Sequence, residues 1–156
     1  MISIFPIADP PVVRFTAYGM PQPQGSARMV PISQPCRVCH RREQRITSDN
    51  PKVPAWRKAI RTALDAEGMT PIAGPVRVSL AFMLRRPKGH SGARGLRPKA
   101  PTHPVARPDI DKLARAALDA LTGPAFGDDA QVVELIVLKH YATGTPGVDI
   151  RIEAVQ

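Results

Sequence analysis

The chain has 156 residues, 43% hydrophobic and 22% charged, so a single domain can bury a core without disulfides or metals. The 22 Lys and Arg residues outnumber the 13 Asp and Glu residues. The resulting net charge of +9 indicates a polyanionic binding partner, with nucleic acid favoured over an anionic membrane. No apolar run approaches the ~20 residues of a membrane span, and residues 1–6 lack the basic start of a signal peptide, so we expect a cytoplasmic protein without a membrane partner.

The N-terminal half predicts one strand, one insertion and one helix. A strand is expected at residues 12–18, and the GMPQPQG run that begins at Gly19 ends it. Residues 26–49 are polar and basic and are interpreted as a flexible insertion. A helix is expected at residues 54–67, where Trp56, Ile60 and Leu64 recur at helical spacing before Gly68.

The C-terminal half predicts a strand, a basic loop, a second helix and two further strands. Residues 75–85 alternate apolar and polar, as a strand does. Residues 85–107 are basic, rich in Pro and Gly, and long enough to suggest a functional loop. A helix is expected at 111–121, and strands at 131–141 and 148–155. The prediction is a single α+β domain over residues 1–156, with order β-α-β-α-β-β and a small mixed sheet of about four strands carrying two main helices.

The two cysteines lie in one short motif, CRVCH at residues 36–40, inside the predicted insertion. Cys36, Cys39 and His40 would supply three ligands of a Zn²⁺ site, which usually needs four. The same string attaches c-type haem, but haem attachment needs export and an apolar pocket. We therefore favour ordinary loop residues over a zinc knuckle, and both over a redox pair.

Acidic residues concentrate around the second predicted helix. Asp109 and Asp111 cannot share a helical face, but an extended segment would point both the same way. We expect Asp109 to precede the helix and Asp111 to be its N-cap, so that both reach one site. Taken singly, each acid has a structural interpretation: a cap, the turn chemistry of Asp128-Asp129, or the pairing of Asp119 with Arg115 four residues before it.

Together these acids suggest a metal site for phosphodiester chemistry. Acids gathered in a chain of net charge +9 suggest a cation site. A small set of carboxylates suits Mg²⁺, with Mn²⁺ as a substitute, because Mg²⁺ shares its coordination shell with water and substrate phosphate. Arg115 or Lys139 would stabilise charge developing on the phosphate. The candidate metal ligands are Asp109, Asp111, Asp128 and Asp129. The side chains expected to hold the DNA backbone are Arg28, Arg85, Arg86, Lys88, Arg94, Arg97, Lys99, Arg107, Lys112 and Lys139.

Three sequence blocks resemble the RusA family of Holliday junction resolvases, which are crossover junction endodeoxyribonucleases. They are PDIDKL at residues 108–113, AALDALTG at 116–123 and FGDDAQVV at 126–133. The GMPQP turn at 19–23, the helix that bears Trp56 and the RPKGH run at 86–90 are also similar to the family pattern. The resemblance extends from about Phe15 to the C-terminus, excluding the cysteine insertion.

The resemblance implies a Mg²⁺-dependent homodimer that binds four-way DNA junctions and cuts two strands symmetrically, in a bacterial or phage-infected cell. It implies catalytic roles for Asp109, Asp111 and Asp129, with Asp128 as a neighbour. Arg115 falls where the family has a catalytic lysine, and it keeps the charge of lysine but not its compact shape. The family often has Asn where this chain has Lys112.

Other functions remain open from sequence alone. A non-catalytic DNA-binding or architectural protein would use the same basic surface, with the acids as caps and turns. A restriction-type nuclease would need an acid two residues before a lysine on the later strand, but Glu134 and Lys139 have the wrong spacing. The basic loop would also be consistent with a merely solvated face.

Overall fold

A four-stranded mixed sheet with two helices forms the protein, whose computed structural model describes residues 12–31 and 44–155. Two short hairpins accompany it. In chain order the elements are β1 (Val12–Tyr18), β2 (Ala27–Pro31), β3 (Gln44–Ser48), α1 (Val53–Asp65), β4 (Val76–Leu84), β5 (Ser91–Gly92), β6 (Gly95–Leu96), α2 (Ile110–Leu121), β7 (Val132–Tyr141) and β8 (Gly147–Ala154). The predicted α+β class is confirmed.

The strand order in the sheet is β1-β8-β4-β7. Strand β8 pairs antiparallel with both β1 and β4, whereas β4 and β7 run parallel. The parallel pair needs a long crossover, and the basic loop and α2 supply it. This crossover places α2 beside β7, with the start of the helix near the end of the strand, where Lys139 donates to Pro108 O.

Both helices cover one face of the sheet. Alternate residues of β4 from Val76 to Leu84 are buried, and Trp56, Ile60 and Leu64 of α1 pack in the same core as Leu113 of α2. The buried residues recur at every second position in the strand and about every 3.6 positions in the helices, as the sequence pattern predicts. The opposite face carries Arg14, Thr16, Ser79 and Arg151, and no described helix covers it.

Several local predictions differ from the structure. The segment 26–49 contains the antiparallel β2–β3 hairpin, with Arg28 opposite Thr47, so its described parts are strands rather than irregular chain. Cys36, Cys39 and His40 lie outside the described residues. The basic loop includes a short 3-10 turn at Lys88–His90 and the β5–β6 hairpin. No helix in the described ranges has the length and apolarity to span a bilayer.

Candidate active site

Helix α2 begins one residue earlier than predicted. Asp109 is its N-cap, with extended backbone angles (φ −69°, ψ 139°), and its carbonyl accepts the first helical hydrogen bond, from Leu113 N at 3.1 Å. The prediction that Asp111 is the N-cap is therefore wrong. Asp111 lies within the first turn, where its negative charge favours the positive end of the helix dipole.

The carboxylates of Asp109 and Asp111 line different grooves. Asp111 lines a groove of about 320 Å³ between α2 and β7, together with Arg115 and Asp129, and Leu135 and Val137 form its apolar wall. We call this the α2–β7 groove. It brings together three of the predicted site residues from two separate segments of the chain.

Asp109 lies instead in a neighbouring groove of about 560 Å³, between the start of α2 and the turn at residues 20–26. Arg107 and Lys112 line it too. Among the residues that the structure describes, no three His, Cys, Asp or Glu side chains form a group that could hold a metal. The structure thus places Asp111 and Asp129 on one groove and Asp109 on another, and the described residues show no cluster of all four candidate aspartates.

Positive groups surround Asp109. Lys112 Nζ lies 3.1 Å from Asp109 Oδ2, and this hydrogen bond, with the charge of Lys112, lowers the pKa of Asp109 below its usual value. Arg107 and Lys139 lower the pKa further. Lys139 Nζ also donates to the carbonyls of Ala106 and Pro108, at 3.1 Å each. Lys139 therefore fixes the end of the basic loop where it enters α2.

The two neighbouring aspartates after Gly127 have different partners. Asp128 caps a short 3-10 turn at Asp129–Gln131, since its Oδ1 accepts from Ala130 N at 2.8 Å. Gln131 Oε1 accepts from Asp128 N at 3.0 Å, which completes a capping box. Asp128 is thus used by the turn, while the exposed Asp129 lines the α2–β7 groove.

Gln131 is a residue that sequence reasoning missed. Its Nε2 donates to the carbonyls of Ile72 (3.2 Å) and Gly74 (2.7 Å), so one amide ties the Asp128-Asp129 turn to the segment before β4. The Asp-x-x-Gln spacing of a capping box, present at 128–131, was the signal that could have identified it.

Arg115 and Asp119 line the same groove, but Asp119 pairs elsewhere. Asp119 forms an ion pair with Arg57 of α1, so the expected Arg115–Asp119 pairing is wrong. Helix–helix packing explains this, because α1 brings the Arg57 guanidinium onto the exposed flank of α2. The exposed Arg115 remains beside Asp111, one helical turn further along.

The basic loop is anchored to the end of β7. The Arg86 guanidinium lies 3.9 Å above the Tyr141 ring and donates to Pro101 O at 2.8 Å, and the rings of His90 and Tyr141 make a T-shaped contact. Tyr141 was not predicted as a site residue. Arg86 and Lys139 therefore hold the loop in place. The loop cations that are exposed are Arg85, Lys88, Arg94, Arg97, Lys99 and Arg107.

Two comparisons with known proteins bear on this arrangement. The family described as Endodeoxyribonuclease RusA matches residues 28–153, which include both grooves' aspartates and the whole basic loop. The chain is also similar to a Bacillus subtilis (strain 168) protein described as "Uncharacterized protein YqaN", with 30% identity over 155 residues, 92% of this chain and 96% of the relative. The family match spans most of the chain, and we conclude that this protein belongs to the RusA endodeoxyribonuclease family.

Proposed function

We propose that this protein is a Mg²⁺-dependent endonuclease that resolves Holliday junctions by paired cleavage, acting as a cytoplasmic homodimer in DNA recombination and repair. The observation that carries the proposal is the α2–β7 groove, which combines Asp111, Asp129 and Arg115 in a chain of net charge +9 that belongs to an endodeoxyribonuclease family. The opposed signs fit a site that takes a cation and a phosphate together.

The donor chemistry of the groove suits Mg²⁺. Asp111 and Asp129 offer hard carboxylate oxygens, both exposed, and a groove of about 320 Å³ leaves room for water and a phosphate. These two residues would hold the ion, with Asp109 joining from the neighbouring groove. When bound, Mg²⁺ supplies Lewis-acid stabilisation of the charge that develops on the phosphodiester.

The protein's own side chains would bind the phosphate and position the DNA. Arg115 would donate to a non-bridging phosphate oxygen, where its fixed charge stabilises the transition state. Lys112 contacts Asp109 at 3.1 Å and lowers the pKa of its carboxyl, which favours the ionised form that binds a cation. The exposed cations of the basic loop would bind backbone phosphates of the junction arms and fix its position.

A non-catalytic DNA-binding protein is the second candidate. The observation that favours it is the absence of a three-residue metal group among residues 12–31 and 44–155, together with the capping role of Asp128. Such a protein would bind junctions as tightly without divalent ions as with them.

Calorimetric titration with Mg²⁺, paired with cleavage of a four-way junction, separates the two functions. We expect the wild type to bind Mg²⁺ and to cut, and Asp111→Asn or Asp129→Asn to lose binding and to cut roughly 10²- to 10³-fold more slowly. The matched control is Asp65→Asn, an exposed aspartate at the end of α1. Equal cleavage by the wild type, Asp111→Asn, Asp129→Asn and Asp65→Asn, all folded, would show that the groove is not the active site.

A further inference from the structure

The turn at residues 20–26 forms one wall of the groove that contains Asp109, which we call the Asp109 groove. The turn has no regular secondary structure, and it includes two prolines, which have no backbone N–H to donate. Its position therefore depends on the few hydrogen bonds that tie it to other elements. One of them joins it to α2, since Gln24 N donates to Lys112 O at 2.8 Å.

Arg57 of α1 also binds this turn. Its Nη2 donates to Gln24 Oε1 at 2.8 Å, and the same nitrogen forms the ion pair with Asp119. Gln24 is thus held twice, through its backbone by α2 and through its side chain by Arg57. The ammonium of Lys112 lies 3.1 Å from Asp109. The contacts therefore form one continuous chain, which runs from Asp119 through Arg57, Gln24 and Lys112 to Asp109.

The surroundings of Arg57 favour a positioning role over a purely stabilising one. The ion pair is half-buried, with 27% of the Arg57 side chain and 34% of the Asp119 side chain exposed. Within the described residues, Arg57 Nε is buried and has no hydrogen-bond partner. A partly desolvated ion pair with an unpartnered N–H adds less stability than apolar packing between two helices. Its geometry is nevertheless specific, because a planar guanidinium holds its acceptors in fixed directions.

Arg61, one turn later on α1, provides a comparison within the same interface. Its Nε donates to Ala120 O at 3.1 Å, and its Nη2 donates to Asp119 O at 3.3 Å. Both of these bonds go to the backbone of α2, whereas Arg57 also binds the turn. The two arginines therefore separate the packing of the helices from the position of the turn.

We propose that Arg57 is a positioning residue for DNA cleavage: by holding Gln24, it fixes the turn at residues 20–26 against the start of α2 and so sets the width of the Asp109 groove. The inference rests on the proposed function, in which a DNA strand that reaches Asp109 has to enter this groove. In this role Arg57 contacts neither DNA nor metal. Its loss leaves Asp109 on α2 but lets the opposite wall of the groove move, together with the contact that Lys112 makes.

Single-turnover cleavage of a four-way junction tests the role, with metal-free junction binding and urea unfolding measured beside it. We expect Arg57→Gln to slow cleavage by saturating protein roughly 10- to 100-fold, while the affinity for the junction and its salt slope keep the wild-type values. Arg61→Gln is the matched control, with a comparable loss of stability and the wild-type cleavage rate. Folded Arg57→Gln that cuts as fast as Arg61→Gln would overturn the proposal. A salt slope reduced by about one would also overturn it, because Arg57 would then contact a phosphate itself.

Two further variants test the link to the turn. Gln24→Ala removes the same hydrogen bond from the other side, so it should slow cleavage as Arg57→Gln does, and the double variant should cut no more slowly than the slower single variant. Arg57→Lys keeps the charge beside Asp119 and a donor for Gln24, and its cleavage rate should lie between the rates of the wild type and of Arg57→Gln. Losses that add up in the double variant would show that the two residues act separately, contrary to the proposal.

Amide hydrogen exchange separates a failure of this inference from a failure of the proposed function. We expect faster exchange at residues 20–26 and 108–113 in Arg57→Gln, and wild-type exchange at both segments in Arg61→Gln. Unchanged exchange in Arg57→Gln would overturn the positioning role whether or not the protein cuts DNA. A wild type that never cuts a junction would instead contradict the proposed function, and the exchange rates would still decide whether Arg57 holds the turn.

Discussion

Two adjacent aspartates show how hydrogen bonding distinguishes residues that sequence alone treats as equal. Asp128 and Asp129 follow Gly127 in one turn, yet the Asp128 carboxylate accepts from Ala130 N and caps that turn. Asp129 points its charge at the α2–β7 groove beside Asp111. The preference for Asp129 rests on the family resemblance, and of the two residues it is Asp129 that lines the groove.

Gln131 gives the first prediction at this scale, because it holds the turn that presents Asp129. Gln131→Ala removes three hydrogen bonds, to Asp128 N, Ile72 O and Gly74 O, so we expect junction cleavage to slow roughly 10- to 100-fold. Binding of the junction without metal should not change. Gln131→Glu keeps the acceptor for Asp128 N and loses both donors. Its cleavage rate should lie between the rates of the wild type and of Gln131→Ala. Single-turnover cleavage and metal-free binding assays measure both quantities, and an unchanged rate for Gln131→Ala would contradict the positioning role.

At the scale of elements, the strand and helix patterns were predictable where one face is buried. Strand β4 alternates from Val76 to Leu84 because its other face is open, and α2 shows its buried stripe through Leu113 and Leu121. The β2–β3 hairpin was missed because its strands are only five residues each and lie within a polar, basic segment. The start of α2 was missed by one residue, since both Asp109 and Asp111 are favourable caps and the backbone conformation at Asp109 decides between them.

The anchor between the basic loop and β7 gives the second prediction. Tyr141→Leu removes the ring on which Arg86 stacks and which His90 meets, so the loop should lose order. Amide hydrogen exchange across residues 86–101 should become faster, and junction affinity should fall several-fold. Tyr141→Phe keeps the ring and is the control. Equal exchange in the two variants would show that the ring does not hold the loop.

A third prediction concerns the pairing of β4 with β7. Arg77 donates to both oxygens of Glu134, at 2.6 and 3.0 Å, and this hydrogen bonding lowers the pKa of Glu134 below its ordinary value. Because the pKa is lower in the folded state, the pair stabilises the protein above the ordinary Glu pKa, and the contribution disappears as the pH falls through the lowered value.

Urea unfolding therefore should show a higher midpoint for the wild type than for Glu134→Gln at neutral pH. The difference should shrink between roughly pH 5 and pH 2, as Glu134 takes up a proton. Arg77→Gln should behave like Glu134→Gln at neutral pH. A midpoint difference that does not depend on pH would indicate that packing, not the ion pair, causes the loss.

At the scale of the whole molecule, the charge distribution matters most. The net charge of +9 indicated a nucleic-acid partner from the sequence, and the structure shows six exposed cations on one anchored loop. The long-range placement of the acids was not predictable, because it depends on how the crossover between β4 and β7 sets α2 against β7.

The fourth prediction follows from these six cations. If each contacts a phosphate, junction affinity should fall about 10³-fold between about 50 and 200 mM salt. Replacing Arg94 or Arg97 with alanine should reduce the salt slope by roughly one each. Lys58→Ala, an exposed cation on α1, should leave the slope unchanged. A loop that does not touch DNA would give the same slope in all of these proteins.

The most direct test of the whole account is cleavage of a synthetic four-way junction by the wild-type protein, with opposite strands carrying different labels. The proposed function predicts that Mg²⁺ causes two nicks in one junction, symmetrically placed on opposing strands, and that no nick forms with a chelator. A junction that folded protein binds but leaves intact, with Mg²⁺ or Mn²⁺ and at every pH where the protein is stable, would contradict the account.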